Sequence, residues 1–427
     1  MRASFYESDI TPPLGGFMWG HYREIRAMEV YERLYARAVV IEDGNDLAAV
    51  VVVDTCILPE EMHDIVTKRI FDYTGIAADK VCIASNHSHT GAPVSDGPEV
   101  GCYADATYKD VFYRLVADTV ILAYKRLADV EIKFAETEVE DIAKCRNHVL
   151  KDGTIITHGA SNPDIVRHLA EPDRALPFLM FYKDGKPIGA IINFACHQDT
   201  TGGIFPVYGY CGDYASVLAN ELKKLYGNDF VSVFLLGAAG DINTSTADPN
   251  AKMWRYNDIG EYLAKVVFDT ADTATPISGG VKVIKESVRI KRRVFTDPAE
   301  AHTKAATLLN GRANALRGRN FLYYVSTNKK EFSDLYVQGI LIGDVYISML
   351  PGEIFTDVGR DIKIRSPFMK NIVVENCNSY CGYIPTKEAF NEKSIMYEIS
   401  LCNHSCHVPE ACDIIANKAV EIAKKMK

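Results

Sequence analysis

Two short segments carry imidazoles where strands run out into loops. Asn86-His87-Ser88-His89-Thr90-Gly91 follows the apolar run KVCIAS, and Cys196-His197 closes the apolar run that begins at Pro187. Each run reads as a buried strand, which places the histidines at strand ends. Three imidazoles can meet there. Imidazole nitrogens and carboxylate oxygens are zinc donors, so His87, His197 and Glu353 make a site of two nitrogens and one oxygen if their strand ends converge at one sheet edge. Tyr383 can add a phenolate. The spacing is neither HExxH nor a paired-cysteine knuckle, and other roles stay open. His87 can cap its strand, His197 can satisfy a buried carbonyl, Glu353 can sit at a helix N-terminus favoured by the dipole, and Tyr383 can be a half-buried aromatic.

The elements that must position these residues alternate between strand and helix. Arg37 to Asp54 reads as a hairpin turning at Asp43-Gly44, Glu60 to Thr74 has helical spacing, and KVCIAS is the next strand, a succession long enough for a crossover unit. A helix over Tyr108 to Leu127 and a strand over Val130 to Glu138 continue the pattern. Cys145 to Arg174 is polar and reads as a long, hairpin-bearing loop. Leu176 to Tyr182, the Asp184-Gly185 turn and Pro187 to Cys196 form a second hairpin; a helix over Asp213 to Tyr226 and a strand over Phe230 to Leu236 follow. After a helix over Trp254 to Thr270, Gly279-Gly280 opens the alternating run VKVIKESVRIKRRVF, and 297–330 reads as helical. YVQGILIGDVYISMLPGEIF turns at Gly343-Asp344, and a helix is expected from Glu353 or Ile354. A short strand in NIVVENCNSY, a helix beginning within Thr386 to Phe390, and a terminal helix over Pro409 to Lys425 complete the chain. The class predicted is α/β, a mixed β-sheet core flanked by helices.

The chain has 427 residues, 48% of them apolar and 24% charged, a globular composition. Its net charge of −9 argues against binding along a nucleic-acid backbone. No apolar run reaches the roughly 18 residues of a membrane span, and MRASFYESDITPP lacks a signal-peptide pattern, so no stable membrane insertion and a cytoplasmic location are expected. The 11 cysteines are odd in number and form no dense framework, as for reduced thiols.

Six motifs in order resemble the catalytic part of the neutral/alkaline ceramidase family, zinc amidases that cleave ceramide to a sphingoid base and a fatty acid. They are DITPPLGG, SNHSHTGAP at Ser85 to Pro93, NFACHQDT at Asn193 to Thr200, FLLGAAGDINT at Phe234 to Thr244, LPGEIF at Leu350 to Phe355 and YIPTKEAF at Tyr383 to Phe390. The resemblance spans about nine tenths of the chain, weakly over 245–345. It implies a ceramidase-like catalytic fold with Zn2+ held by His87, His197, Glu353 and Tyr383. It leaves His89 as an acid/base or substrate-orienting residue. Zinc of this kind lowers the pKa of bound water and polarises a carbonyl, while an imidazole passes a proton to the leaving amine. Arg146 and Tyr397 are candidate hydrogen-bond donors to the developing oxyanion.

Asn243 stands where characterised ceramidases carry a serine two residues beyond the aspartate. An amide cannot act as a hydroxyl nucleophile, which favours water attack. The family's members also resemble longer, exported or membrane-facing enzymes with a further C-terminal domain, which is not expected here. The expectation is one catalytic unit over 1–427, with 281–334 a candidate peripheral insertion or subdomain, acting as a zinc-dependent amidohydrolase on a small-molecule or N-acyl substrate. An esterase or N-deacetylase acting on a small sugar or acyl metabolite, and a metal-supported binding protein without turnover, are the alternatives. Oligomeric state is left open.

Three further features read as structural. Cys402, His404, Cys406 and His407 lack the separated knuckles of a zinc site. Arg317-Gly318-Arg319 reads as solvated surface. GAAGD, without a P-loop lysine, does not establish a phosphate loop, and Asp241 either orients that loop or forms an Asx turn.

Overall fold

Three stretches of the chain build the same unit: an antiparallel hairpin, a crossover helix, and a strand returning parallel to the second hairpin strand. The first comprises Tyr35–Glu42, Leu47–Val53, helix Met62–Thr74 and Val81–Ser85. The second comprises Ala175–Lys183, Lys186–Phe194, helix Asp213–Tyr226 and Val231–Leu236. The third comprises Phe332–Ile342, Val345–Met349, helix Thr356–Arg365 and Lys370–Val374. This computed structural model describes residues 1–427 apart from 22–23, 160, 202–208, 245–251, 253, 296, 298, 301–302 and 304–311. The fold is α/β, with mixed sheets flanked by helices.

Further strands widen each sheet. Arg2–Asp9 and Ala128–Asp129 join the first, Glu131–Glu138 and Thr275–Pro276 the second, and Val281–Lys291 the third. Side chains alternate across each strand, so every sheet has two apolar faces to bury. The inner faces share one cluster that includes Val39, Val50, Ile191, Val233, Ile340 and Ile347. On the outer side, Val40 and Val51 pack with Val66 and Phe112 of the helices Met62–Thr74 and Ala106–Tyr124. Met180, Tyr346, Leu218, Leu263 and Ile415 belong to the cluster that covers the other two sheets. Truncating any of these large aliphatic side chains to alanine costs about 2–5 kcal/mol, the typical range for a cavity in a packed core.

The parallel strands all end on one side, and their ends are tied together. Ser85 N–H donates to Asn376 O (3.1 Å), and Glu375 N–H donates to Leu236 O (3.0 Å). This is the edge at which open α/β sheets bind ligands.

Several local outcomes differ from the sequence reading. The polar region after Cys145 is more ordered than a loop: Asn147–Leu150, Ile155–Thr157 and Ile165–His168 pair as a three-stranded sheet around the Asp152-Gly153 turn. Glu353 does not begin a helix. It pairs in parallel with Tyr383, its N–H donating to Gly382 O (3.0 Å), and the helix starts at Thr356. Of the expected 297–330 helix, Arg312–Thr327 is described and most of the rest lies outside the described residues. Val281–Lys291 pairs along its whole length with Phe332–Ile342, so the compositional shift at 280 marks entry into the third sheet. Among the described residues, no helix is long and apolar enough to cross a membrane.

Candidate metal centre

Each unit sends one residue to the same point. His87 lies two residues beyond Val81–Ser85, His197 just beyond Lys186–Phe194, and Glu353 just beyond Val345–Met349. All three are buried, at 2%, 0% and 1% exposure. His87 adopts φ +62°, a left-handed conformation costly for a non-glycine residue, and its N–H donates to Ser85 Oγ (3.0 Å).

The tautomers follow from the backbone. His87 Nδ1–H donates to Cys56 O (2.8 Å) and His197 Nδ1–H to Ala239 O (3.0 Å). Carbonyl oxygens only accept, so Nδ1 carries the proton in both rings and the Nε2 lone pairs point inward. Those Nε2 atoms are 3.0 Å apart. Glu353 Oε2 lies 3.3 Å from His87 Nε2 and 3.6 Å from His197 Nε2, is buried, and has no hydrogen-bond donor. Its other oxygen, Oε1, accepts from the Tyr380 hydroxyl at 2.7 Å.

Two imidazole nitrogens and a carboxylate oxygen facing one another form an arrangement that a cation resolves, in place of the proton that His87 otherwise shares with Glu353. Tetrahedral zinc, with bonds of about 2 Å to nitrogen and oxygen, puts its ligand atoms about 3.3 Å apart. The spacing here fits. Electrostatics agrees for most of the set. Burial, then the charge of Arg146, drives His197 well below the ordinary imidazole value and keeps it neutral. Burial opposes ionisation of Glu353, but His87, the Tyr380 hydrogen bond and Arg146 outweigh it and hold the carboxylate ionised. On His87, burial disfavours the proton while Cys56 and Glu353 raise the pKa well above its usual value, so a proton competes with a cation at this ring.

Two other groupings also lie within ligand distance, Cys56 with His87 and His89, and His21 with His89 and Asp199. The first is a poorer donor set, because burial pushes the Cys56 thiol up and keeps it protonated. His89 stands beside the central triad, its Nε2 3.4 Å from His87 Nε2 and its Nδ1 3.5 Å from Asp199 Oδ1. Burial, followed by the nearby His87, His21 and Arg146 charges, holds His89 well below its ordinary pKa. Its backbone N–H donates to Gln198 O (3.1 Å), which joins the SNHSH and CHQD loops.

Tyr383 lies beside Glu353 by strand pairing, and its hydroxyl oxygen accepts from Arg146 Nη2 at 3.3 Å. The Arg146 guanidinium carbon is 5.7 Å from the Tyr383 ring centre and 5.3 Å from that of Tyr397. Arg146 is buried and ion-paired to Glu398 at 3.1 Å. Arg146 and Tyr397 therefore back Tyr383, which itself lines the cavity over the triad.

Two backbone approaches fix the loops. Gly240 lies so close to Glu353 that an added Cβ would come within 2.7 Å of its carbonyl oxygen, while Gly240 N–H donates to Ile354 O (2.8 Å). A Cβ on Gly20 would come within 2.3 Å of His89 Nδ1. Glu375 joins two of the loops from beneath, Oε2 accepting from Ala239 N–H (3.1 Å) and Ile354 N–H (2.7 Å). Asp241 orients the glycine-rich loop: Oδ1 accepts Thr356 N–H (2.7 Å) and its backbone O accepts Arg146 N–H (2.9 Å). Asn243 turns back on its own loop, with Oδ1 accepting Thr244 N–H (2.7 Å).

The cavity above the triad is small, about 50 Å³. Sequence reasoning missed Trp19, His21, Glu99, Asn320 and Tyr380 in its wall, and Asp199 beside it. Only Asp199, two residues after His197, carried a local signal.

No protein-family model and no curated protein sequence matches the chain. Solved structures do. The neutral ceramidase from Pseudomonas aeruginosa superposes with a TM-score of 0.75 at 17% identity, covering 100% of this chain and 74% of that one. A ceramidase complexed with C2 gives 0.76 at 17%, with 100% and 75% covered. The chain thus shares the fold of these ceramidases at low sequence identity.

Proposed function

We propose that this chain is a zinc-dependent amidohydrolase, with one catalytic unit built from residues 1–427, acting on an N-acyl substrate. The observation that carries the reading is the meeting of two Nε2 lone pairs with the donorless Glu353 Oε2 beneath an open cavity. His87, His197 and Glu353 would hold the ion, with Tyr383 completing the set. Zinc bound there would activate water and polarise the scissile carbonyl. His89, neutral and adjacent, takes a proton at Nε2 and returns it to the leaving amine. Asp199 Oδ1 faces the far side of that ring at 3.5 Å. Arg146 orients the Tyr383 hydroxyl, and Tyr397 packs on the same guanidinium. Hydrolysis of a short ester or N-acetyl group is the second reading, favoured by the small cavity, whose wall includes the polar Glu99 and Asn320.

Metal analysis combined with an N-acyl panel tests this. Stoichiometric zinc, amide cleavage, and loss of cleavage in His89→Ala with zinc retained are expected. Protein that takes up no zinc would overturn the reading; zinc without turnover on any amide or ester would favour a binding protein.

A further inference from the structure

The wall of the cavity away from the triad bears on which amide enters it. Asn320, on the helix Arg312–Thr327, lines this wall at 8% exposure, and its Oδ1 is buried without a hydrogen-bond donor. Glu99 is a second acceptor, its side chain 6% exposed and 3.4 Å from His404 Nε2. Burial opposes its charge, but the His404 contact outweighs it and holds the Glu99 carboxyl below its usual value. Trp19 lies between the cavity and the outer cleft, edge-on to His404 at 5.4 Å, with its indole N–H already donated to Ser95 O. A carbonyl oxygen, a carboxylate and an aromatic ring present two acceptors and a flat apolar surface.

The outer cleft, about 880 Å³, is bordered by the charged Glu60, Lys109, Arg292 and Lys330 as well as by the apolar Leu58, Phe332 and Leu335. Among the described residues, the larger apolar side chains of the inner cavity are Phe17, Trp19 and Ile57, besides the tyrosines. A long acyl or sphingoid tail gains by leaving water only where apolar walls receive it, and it would strip water from charged groups here. A hydroxyl-bearing ring gains at the same place, because one O–H group satisfies Asn320 Oδ1, which is otherwise buried unpaired, and another adds a donor to the Glu99 carboxylate beside His404.

We infer that the substrate is a compact N-acyl amine with a short acyl group, whose amine portion carries hydroxyl groups that donate to Asn320 and Glu99, as an N-acylated amino sugar does. This rests on the amidohydrolase reading above. An ammonium would supply donors too, and the test separates the two.

The test uses zinc-loaded full-length protein and four amides: an N-acetyl amino sugar, N-acetylcyclohexylamine as its hydroxyl-free counterpart, a mono-N-acetylated cyclohexanediamine, and a long-chain N-acyl sphingoid base. The amino-sugar amide should exceed the cyclohexyl amide in kcat/KM by roughly tenfold or more. Asn320→Leu should erase most of that margin through KM, and Asn320→Asp should keep part of it. Calorimetric binding of the free amines gives a readout without turnover: the amino sugar should bind more tightly than cyclohexylamine, and Asn320→Leu should abolish the difference. Preference for the sphingoid or cyclohexyl amide, preference for the diamine, or a margin untouched by Asn320→Leu would overturn the inference. If no amide is cleaved but the binding difference holds, the amidohydrolase reading fails while the hydroxyl-reading wall stands; cleavage without the binding difference gives the reverse.

Discussion

Two clusters in this chain are rich in histidine and cysteine, and they meet opposite fates. In the Cys402–His407 segment each imidazole finds a partner of its own. His404 Nε2 faces Glu99, His407 Nε2 is 2.9 Å from Ser333 Oγ, and Cys402 and Ser405 exchange backbone hydrogen bonds at 3.1 Å. Around His87, His197 and Glu353 the donors are spent outward on backbone carbonyls, so the inward lone pairs face one another. Residue type is similar in the two places. What separates a cation site from a hydrogen-bonded corner is which acceptors remain after the proton donors have been used.

That contrast can be broken most severely at a ligand. His197→Ala should lower zinc affinity by more than the roughly 10–100-fold seen for losing a supporting residue, read as zinc retained after dialysis; retention at the wild-type level would remove His197 from the set. Glu375→Ala should cost about 10–100-fold in zinc affinity by freeing Ala239 and Ile354, and Glu375→Gln should cost less because the amide oxygen still accepts. Gly240→Ala must displace the Glu353 backbone and should destabilise the fold by about 1–3 kcal/mol, measured by denaturant unfolding. At the other cluster, His407→Gln should leave zinc content unchanged, and a drop would erase the distinction.

A pH effect is expected at Asp241. Burial pushes Asp241 up to about 7, the Thr356 bond and Arg146 only partly opposing it. A carboxyl with a raised folded-state pKa binds its proton more tightly when folded, so its stabilising contribution is full below the unfolded value near 4 and is lost as pH rises through about 7. Asp241→Asn keeps the acceptor for Thr356 N–H and removes the titration. Its stability relative to wild type should therefore rise between pH 4 and 7; a flat difference would contradict the assignment.

Much of the scaffold was legible because burial and turn chemistry leave local marks. LAAVVVV is apolar throughout since both sheet faces are covered, and Asp184-Gly185 separates two strands of the same kind. Placing His87, His197 and Glu353 at strand ends needed only that pattern. Their convergence, however, depends on three sheets sharing one interior, which no local pattern in the sequence marks. Glu353 was misassigned to a helix because LPGEIF carries a start signal, whereas tertiary pairing with Tyr383 holds it extended. Trp19, Glu99, Asn320 and Tyr380 reach the cavity from segments with no shared period, so spacing could not unite them.

The threefold unit has a consequence for how the chain comes apart. His87 and His197 are 110 residues apart in sequence, and Glu353 belongs to yet another unit. An ion gripped by all three closes two long loops at once, and the entropy of closing a loop grows only slowly with its length. Such a bond acts as a reversible staple between units that could otherwise open separately. Occupancy of the site should then slow unfolding of the whole chain, which makes the ion a governor of lifetime as well as of chemistry.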